Sequence, residues 1–126
     1  MAMIGPSGGT RQVVDVEAAT ALFHSLSDGT RLAILQRLAA GEARVVDLTA
    51  ELGLAQSTVS AHLGCLRDCG LVDYRPQGRS SVYRLARPEV LAVFTAAEAL
   101  LAATGSAVAL CPNYGHPGDV KKKVAR

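Results

Sequence analysis

The chain has 126 residues, 49% of them hydrophobic, and no Trp, which indicates one small domain with a core of Leu, Val and Ala. Residues 1–12 lack the apolar core of a signal peptide, and Glu98 within the apolar stretch 90–110 argues against a membrane span. The net charge of +2 is weak, but five arginines against two aspartates lie between Leu54 and Arg87. This local excess indicates an anionic partner. We expect a cytoplasmic protein whose cysteines are reduced thiols or metal ligands.

The hydrophobic spacing up to residue 70 predicts four helices, and the last two form a helix-turn-helix. Apolar residues recur at helical spacing in each of these segments. The four helices are expected over 15–26, 30–40, 45–52 and from 56 to 68 or 69. Only Gly53, Leu54 and Ala55 separate the third helix from the fourth. Two helices joined by a short turn that contains Gly are typical of a helix-turn-helix.

A β-hairpin and a fifth helix are predicted after the helix-turn-helix. Residues 71–75 and 80–85 carry Val and Tyr in partial alternation with polar residues, and a segment with Pro and Gly separates the two runs. A hairpin in this place is a wing. The fifth helix is expected over 88–103, with Pro88 in its first turn. The sequence therefore predicts a mainly α fold with a β-hairpin, a winged helix-turn-helix of five helices plus a wing.

The fourth predicted helix divides into an apolar face and a polar face. Val59, Leu63 and Leu66 fall at helical spacing and should face the core. Short polar side chains near a helix N-terminus can meet base edges and phosphates in the major groove. The candidate DNA-binding residues of this helix are Gln56, Ser57, Thr58, Ser60 and His62. Arg75 and Arg79 of the hairpin could reach the DNA backbone or the minor groove. The alternative interpretation is that the helix has an ordinary solvated polar face and that the hairpin has no binding role.

Three cysteines form the second candidate site. Cys65 and Cys69 are four residues apart on the fourth helix, which places their Cβ atoms about 5–6 Å apart on one face. Cys111 lies in the tail, before Pro112, and could add a third thiolate to make a site that favours soft metals. The alternative is that Cys65 and Cys69 are small packing residues, a role that is less natural for Cys111.

Several segments resemble the ArsR/SmtB family of metal-responsive repressors. Residues 26–35 resemble the family signature LSDPTRLAIL, and 56–63 together with 66–72 match its recognition-helix pattern. Gly78, Arg79 and Tyr83 match its wing. The resemblance covers roughly residues 15–103. One departure is Ala55, where family members commonly carry Ser, so the usual N-cap of the recognition helix is missing or shifted to a neighbour.

The resemblance implies a homodimer that pairs through the first and last helices, binds double-stranded operator DNA without ligand and leaves it on sensing. We therefore expect three parts in the chain. They are an N-terminal flexible arm, a winged helix-turn-helix domain for DNA binding and dimerisation, and a C-terminal tail that carries Cys111. The three parts are expected over 1–12, 13–104 and 105–126. No membrane partner is expected.

The metal sites that are commonest in this family do not fit the sequence. Arg44 and Val46 stand at the ligand positions of the third-helix site, and residues 88–103 contain no His or Asp for the last-helix site. What remains resembles the CmtR type of cadmium- and lead-responsive repressors, on residues 63–72 plus a tail Cys. This resemblance implies metal ligands Cys65, Cys69 and Cys111, with Cys111 reaching over from the other protomer. His116 is a possible fourth ligand, although a tail His is more often solvated.

The predicted function is a transcriptional repressor that a soft metal ion, Cd or Pb with Zn possible, releases from its operator. Two alternatives stay open: the thiols respond to oxidation or arsenite, or the winged helix binds protein rather than DNA. An enzyme is not expected, because the sequence contains no suggestive catalytic constellation and no Gly-rich phosphate loop.

Overall fold

Five helices and a three-stranded antiparallel sheet make up the part of the chain described by this computed structural model, residues 5–111, with side chains described from residue 16 onward. The helices are α1 (Gly5–Leu26), α2 (Gly29–Ala39), α3 (Val45–Leu52), α4 (Gln56–Asp68) and α5 (Glu89–Ala103). The strands are β1 (Ala43–Arg44), β2 (Val72–Gln77) and β3 (Ser80–Leu85). The helix-turn-helix of α3 and α4, followed by the β2–β3 hairpin, confirms the predicted winged helix-turn-helix.

The helix-turn-helix has the expected bounds because its stop signals are local. Helix α3 ends at Gly53, which takes a left-handed conformation with φ of 68° that costs glycine little. Helix α4 begins directly after Ala55, which makes no side-chain capping hydrogen bond. The N-cap side chain that the resemblance predicts to be missing or shifted is therefore missing from α4.

Helix α1 is longer than the sequence predicts, because it begins at Gly5 rather than near residue 15. It therefore includes residues 5–12, which the sequence predicts to be part of a flexible arm. Gly and Ser have low intrinsic helix propensity, and this composition predicts a later start. Once a helix is nucleated, each further residue adds a backbone hydrogen bond, so weak formers can be included.

The wing is a hairpin in regular register that a third, very short strand completes. Strands β2 and β3 pair from Val72 opposite Leu85 to Gln77 opposite Ser80. Strand β1 pairs with β3 on the other side, with Ala43 opposite Tyr83. We did not predict β1, because two residues are too few to show the alternation of a strand. It attaches the wing to the start of α3.

The core lies between α2, α3, α4 and α5. Its largest fully buried side chains come from all four helices, and they are Ile34, Leu35, Leu48, Val59, Leu63, Leu66 and Phe94. The expectation that Val59, Leu63 and Leu66 face the core is therefore confirmed. The outer helix α1 is different, since Val16 and Phe23 expose 64% and 60% of their surface. Among residues 5–111, no helix combines the length and apolar character needed to cross a membrane.

Candidate DNA-binding surface and thiol sites

The N-terminal half of α4 presents a polar surface to solvent. Gln56, Ser57, Thr58 and Ser60 are all exposed, whereas Val59 between them is fully buried. The 3.6-residue period of the helix accounts for this division, because one apolar position per turn anchors the helix and the remainder face outward. Four of the five predicted DNA-reading residues of α4 therefore share one accessible surface.

His62, the fifth of them, is half-buried and has a partner within the protein. Its Nδ1 accepts a hydrogen bond of 3.2 Å from Nε of Arg31 in α2. Arg31 also donates through a terminal nitrogen to the carbonyl oxygen of Ser25, at 3.4 Å. One ring nitrogen of His62 is thus used within the fold, which leaves Nε2 for any contact to DNA.

Four of the five arginines that produce the local positive charge lie in the wing or just after it. They differ in their ion-pair partners. Arg75 pairs with Glu42 at 2.7 Å, and Arg84 contacts Asp73 at 3.3 Å. Arg79, next to Gly78 in the turn, is exposed and forms no ion pair with any residue that the structure describes. Arg79 is therefore the wing residue best placed to meet an external phosphate.

Cys65 and Cys69 are both exposed near the C-terminal end of α4. Cys69 caps the helix, and its Sγ lies 2.8 Å from Oγ of Ser25 in the last turn of α1. Ser25 is only 5% exposed, although it is polar. This contact therefore connects the end of the predicted recognition helix to α1. Binding of a metal ion by the Cys69 thiol would disturb the contact.

Cys111 lies apart from this pair within the chain. Its Sγ is 3.5 Å from Oγ1 of Thr95 in α5, and its backbone N–H donates to Oε2 of Glu98 at 2.7 Å. Burial raises the pKa of the Cys111 thiol above its usual value, and Glu98 raises it further, against the opposing effect of the Thr95 hydrogen bond. No three His, Cys, Asp or Glu side chains within residues 16–111 gather closely enough to hold a metal ion. His116 lies outside the described residues.

Glu98 is the residue of this region that the sequence did not reveal. In the sequence it serves only as an acid that argues against a membrane span. In the structure it is 6% exposed and accepts hydrogen bonds from the backbone N–H groups of Leu110 and Cys111. A lone carboxylate in an otherwise apolar helix is the signal that could have indicated a buried partner, since buried charges are almost always paired or hydrogen-bonded.

Comparison with known proteins gives consistent results for the central part of the chain. The profile of the family described as bacterial regulatory protein, arsR family, matches residues 28–74. These residues comprise α2, the helix-turn-helix and the start of the wing. A probable mercury resistance operon repressor of Streptomyces lividans is 34% identical over 97 residues, which are 77% of this chain and 78% of that protein.

Two further proteins resemble the chain. The transcriptional regulator CmtR of Mycobacterium tuberculosis is 46% identical over 69 residues, 55% of this chain and 58% of that protein. A solution structure from Mycobacterium bovis, described as a homodimeric winged helix-turn-helix DNA-binding domain of a possible ArsR-family regulator, matches with a TM-score of 0.67 and 30% identity. That match covers 73% of this chain and 85% of the other.

Proposed function

This chain belongs to the ArsR/SmtB family of transcriptional repressors, and we propose that it binds operator DNA as a metal-free homodimer and leaves the DNA when thiolates bind a soft metal ion. It is a DNA-binding regulator rather than an enzyme, as its family and the similar solved structures are. The observation that carries the proposal is that two exposed thiols lie one turn apart on the helix whose other end presents the DNA-reading surface.

Binding to operator DNA is supported by the placement of polar and basic groups. The exposed side chains at the start of α4 suit the major groove, into which the second helix of a helix-turn-helix inserts. Arg79 at the wing tip would then contact the backbone or the minor groove of the adjacent DNA. Arg75 would take part only if it left Glu42. A protein with this role works where the DNA is, so we expect it in the cytoplasm.

A homodimer is supported by apolar surface on the two helices that the family resemblance assigns to the interface. Val16 and Phe23 of α1 and Leu100 of α5 are the most exposed large hydrophobic residues of the described chain. Leu22, Leu26, Val90 and Val93 also line an apolar groove between these helices. Burial of such surface against a second copy would be favourable by about 25 cal/mol for each Å².

The proposed metal site takes Cys65 and Cys69 from one protomer and Cys111 from its partner. Within one chain Cys111 rests on α5 and does not join the pair, and this separation supports a ligand set drawn from two chains. Three thiolates favour soft ions, and we propose Cd²⁺ or Pb²⁺, with Zn²⁺ as a further candidate. Two symmetric sites would result in each dimer.

The position of the pair suggests how the ion would act. A dimer must hold its two recognition helices about 34 Å apart, which is one turn of DNA. Ligation of Cys69 requires its thiol to leave Ser25, and attachment to the partner's tail would move the end of α4. An ion that binds this displaced arrangement more tightly shifts the population away from the DNA-binding state.

The experiment is a titration of the reduced dimer with Cd²⁺, monitored through thiolate-to-metal absorption in the near ultraviolet. The proposal predicts one ion per protomer and an intensity corresponding to three sulfur ligands. Loss of one third of that intensity in Cys65→Ser, Cys69→Ser and Cys111→Ser alike would identify the ligands. A protein that shows no such band, yet leaves DNA on treatment with peroxide or arsenite, would instead support a redox or arsenite sensor.

A further inference from the structure

Side chains of α2 and α5 hold the start of the tail on the surface of its own chain. Oε2 of Glu98 accepts the backbone N–H groups of Leu110 and Cys111, the latter at 2.7 Å. From the other side, Nε2 of Gln36 donates to the carbonyl oxygen of Leu110 at 3.1 Å and to that of Ala109 at 3.5 Å. We name these two side chains together with residues 109–111 the tail clamp.

The burial of Glu98 indicates that the clamp is a built feature of the fold. Glu98 is 6% exposed, and its second oxygen, Oε1, is buried without a hydrogen-bond partner among the described residues. Burying a carboxylate is unfavourable unless hydrogen bonds compensate for its lost hydration. Bonds to a charged acceptor are stronger than neutral ones, and the two tail amides supply them. The tail is thus what stabilises an acid at this position of an apolar helix.

The clamp also fixes the thiol of Cys111. Sγ contacts Thr95 of α5, and the residue packs partly buried against the core. A metal ion bound by three thiolates needs each sulfur atom at about 2.3 Å from the ion, or slightly farther for larger ions. Two further cysteine side chains would therefore have to approach a sulfur that the clamp holds against its own helix. Within residues 16–111 no such group of three ligands lies together, so binding of an ion by three thiolates must bring together sulfur atoms that are separate in this arrangement.

We infer that the tail clamp is an autoinhibitory contact, in which Glu98 and Gln36 retain Cys111 in the metal-free protein and a metal ion must open this contact to recruit the thiol. The inference rests on the proposed function for the identity of the ligand. If only a fraction of the protein molecules have an open clamp, the apparent affinity for the metal ion is the intrinsic affinity multiplied by that fraction. Glu98 and Gln36 therefore set the metal concentration at which the repressor responds, although neither is a metal ligand.

The test uses the full chain and two variants from different helices, Glu98→Ala and Gln36→Leu, with Glu89→Ala as the control. Glu89 is an exposed acid in the first turn of the same helix. Amide hydrogen exchange of Leu110 and Cys111 is measured on metal-free protein, and Cd²⁺ affinity is then measured by competition with a chelator. We expect both variants to speed exchange of the two amides by about tenfold or more and to tighten Cd²⁺ binding by a similar factor. Glu89→Ala should change neither.

Unchanged exchange of Leu110 and Cys111 in both variants would overturn the clamp itself. Faster exchange with unchanged or weaker Cd²⁺ binding would overturn its inhibitory role and show that the clamp presents Cys111 to the ion. If no form of the protein bound Cd²⁺, the proposed function would be wrong, and so would the inference that the clamp opposes metal binding. The exchange rates, which need no metal, would still decide whether Glu98 and Gln36 retain the tail.

Discussion

Oγ of Ser25 and Sγ of Cys69 lie 2.8 Å apart and join the last turn of α1 to the residue that ends α4. The carbonyl group of the same serine accepts a hydrogen bond from Arg31, which also donates to His62 within α4. Through these contacts Ser25 joins the proposed metal ligand Cys69 to α1 and, by way of Arg31, to His62 of the proposed DNA-reading helix. Any ligand that removes the thiol from Ser25 alters a contact shared by these elements.

Ser25→Ala should tighten metal binding, because the metal-free state then has no Ser25–Cys69 hydrogen bond to lose. A hydrogen bond of this kind contributes about 0.5–1.5 kcal/mol, so the affinity for Cd²⁺ should rise by up to about tenfold. The measurement is competition with a chelator. Ser27→Ala is the matched control, since its hydroxyl donates only to the carbonyl oxygen of His24. Equal affinities in Ser25→Ala and wild type would contradict the assigned role of this contact.

Arg79→Ala should weaken operator binding more than Arg84→Ala does. Arg79 has no ion-pair partner among the described residues, whereas Arg84 contacts Asp73 at 3.3 Å in the same hairpin. Loss of a phosphate contact should also reduce the slope of log affinity against log salt by about one for each contact. Fluorescence anisotropy with duplex DNA at several salt concentrations measures both quantities. Equal losses of operator affinity in the two variants would contradict a phosphate contact by Arg79.

Much of the fold could be predicted from the sequence because its signals are local. The apolar spacing of Val59, Leu63 and Leu66 and the stop at Gly53 fix α3 and α4 without reference to the remainder of the chain. Strand β1 could not be predicted, since it exists only through its pairing with β3. The predicted start of α1 is about ten residues too late, because the Gly-rich composition of residues 5–12 indicates weak helix formation. Composition alone does not show that an existing helix can extend through such residues.

The candidate site was predictable in its residue types but not in its connections. The spacing of Cys65 and Cys69 on one helix indicates a shared ligand. The contacts of Cys69 with Ser25 and of Glu98 with the tail amides join residues far apart in sequence, and hydrophobic periodicity contains no information about them. Which chain would supply Cys111 depends on a second copy, and a single sequence contains no contact that decides it.

Cys111→Ser should retain operator binding and lose most of the metal response. Cys111 contacts Thr95 and Glu98 of α5 and is not one of the predicted DNA-binding residues, so the affinity for DNA in the absence of metal should stay within about twofold. Removal of one of three thiolate ligands should weaken Cd²⁺ binding by at least about tenfold, or 1.4 kcal/mol. Ser106→Ala, an exposed change in the same tail, is the control. A full response to Cd²⁺ in Cys111→Ser would exclude it as a ligand.

Asp28→Ala should destabilise the protein at neutral pH, with an effect that fades in acid. Oδ1 of Asp28 accepts the backbone N–H of Arg31 at 3.0 Å and caps α2, and this hydrogen bond lowers the pKa of Asp28 from its ordinary value of 3.8. A lowered folded-state pKa contributes stability above pH 3.8, and that contribution is lost as pH falls through the folded value.

Urea denaturation midpoints between pH 7 and pH 3 measure this contribution. The gap between wild type and Asp28→Ala should narrow toward pH 3. Asp28→Asn, which keeps an acceptor for the capping bond, should lose less at pH 7 than Asp28→Ala. A gap that stays constant over the whole range would show that ionisation of Asp28 makes no contribution.

The most direct test of the central claim is a titration of Cd²⁺, and in parallel Pb²⁺, into the preformed complex of the reduced dimer with operator DNA, followed by anisotropy. The account predicts dissociation at about one ion per protomer and retention of the complex when Cys65 and Cys69 are both serine. Tight DNA binding that persists at saturating Cd²⁺ and Pb²⁺, or equal release from the double-serine variant, would contradict it.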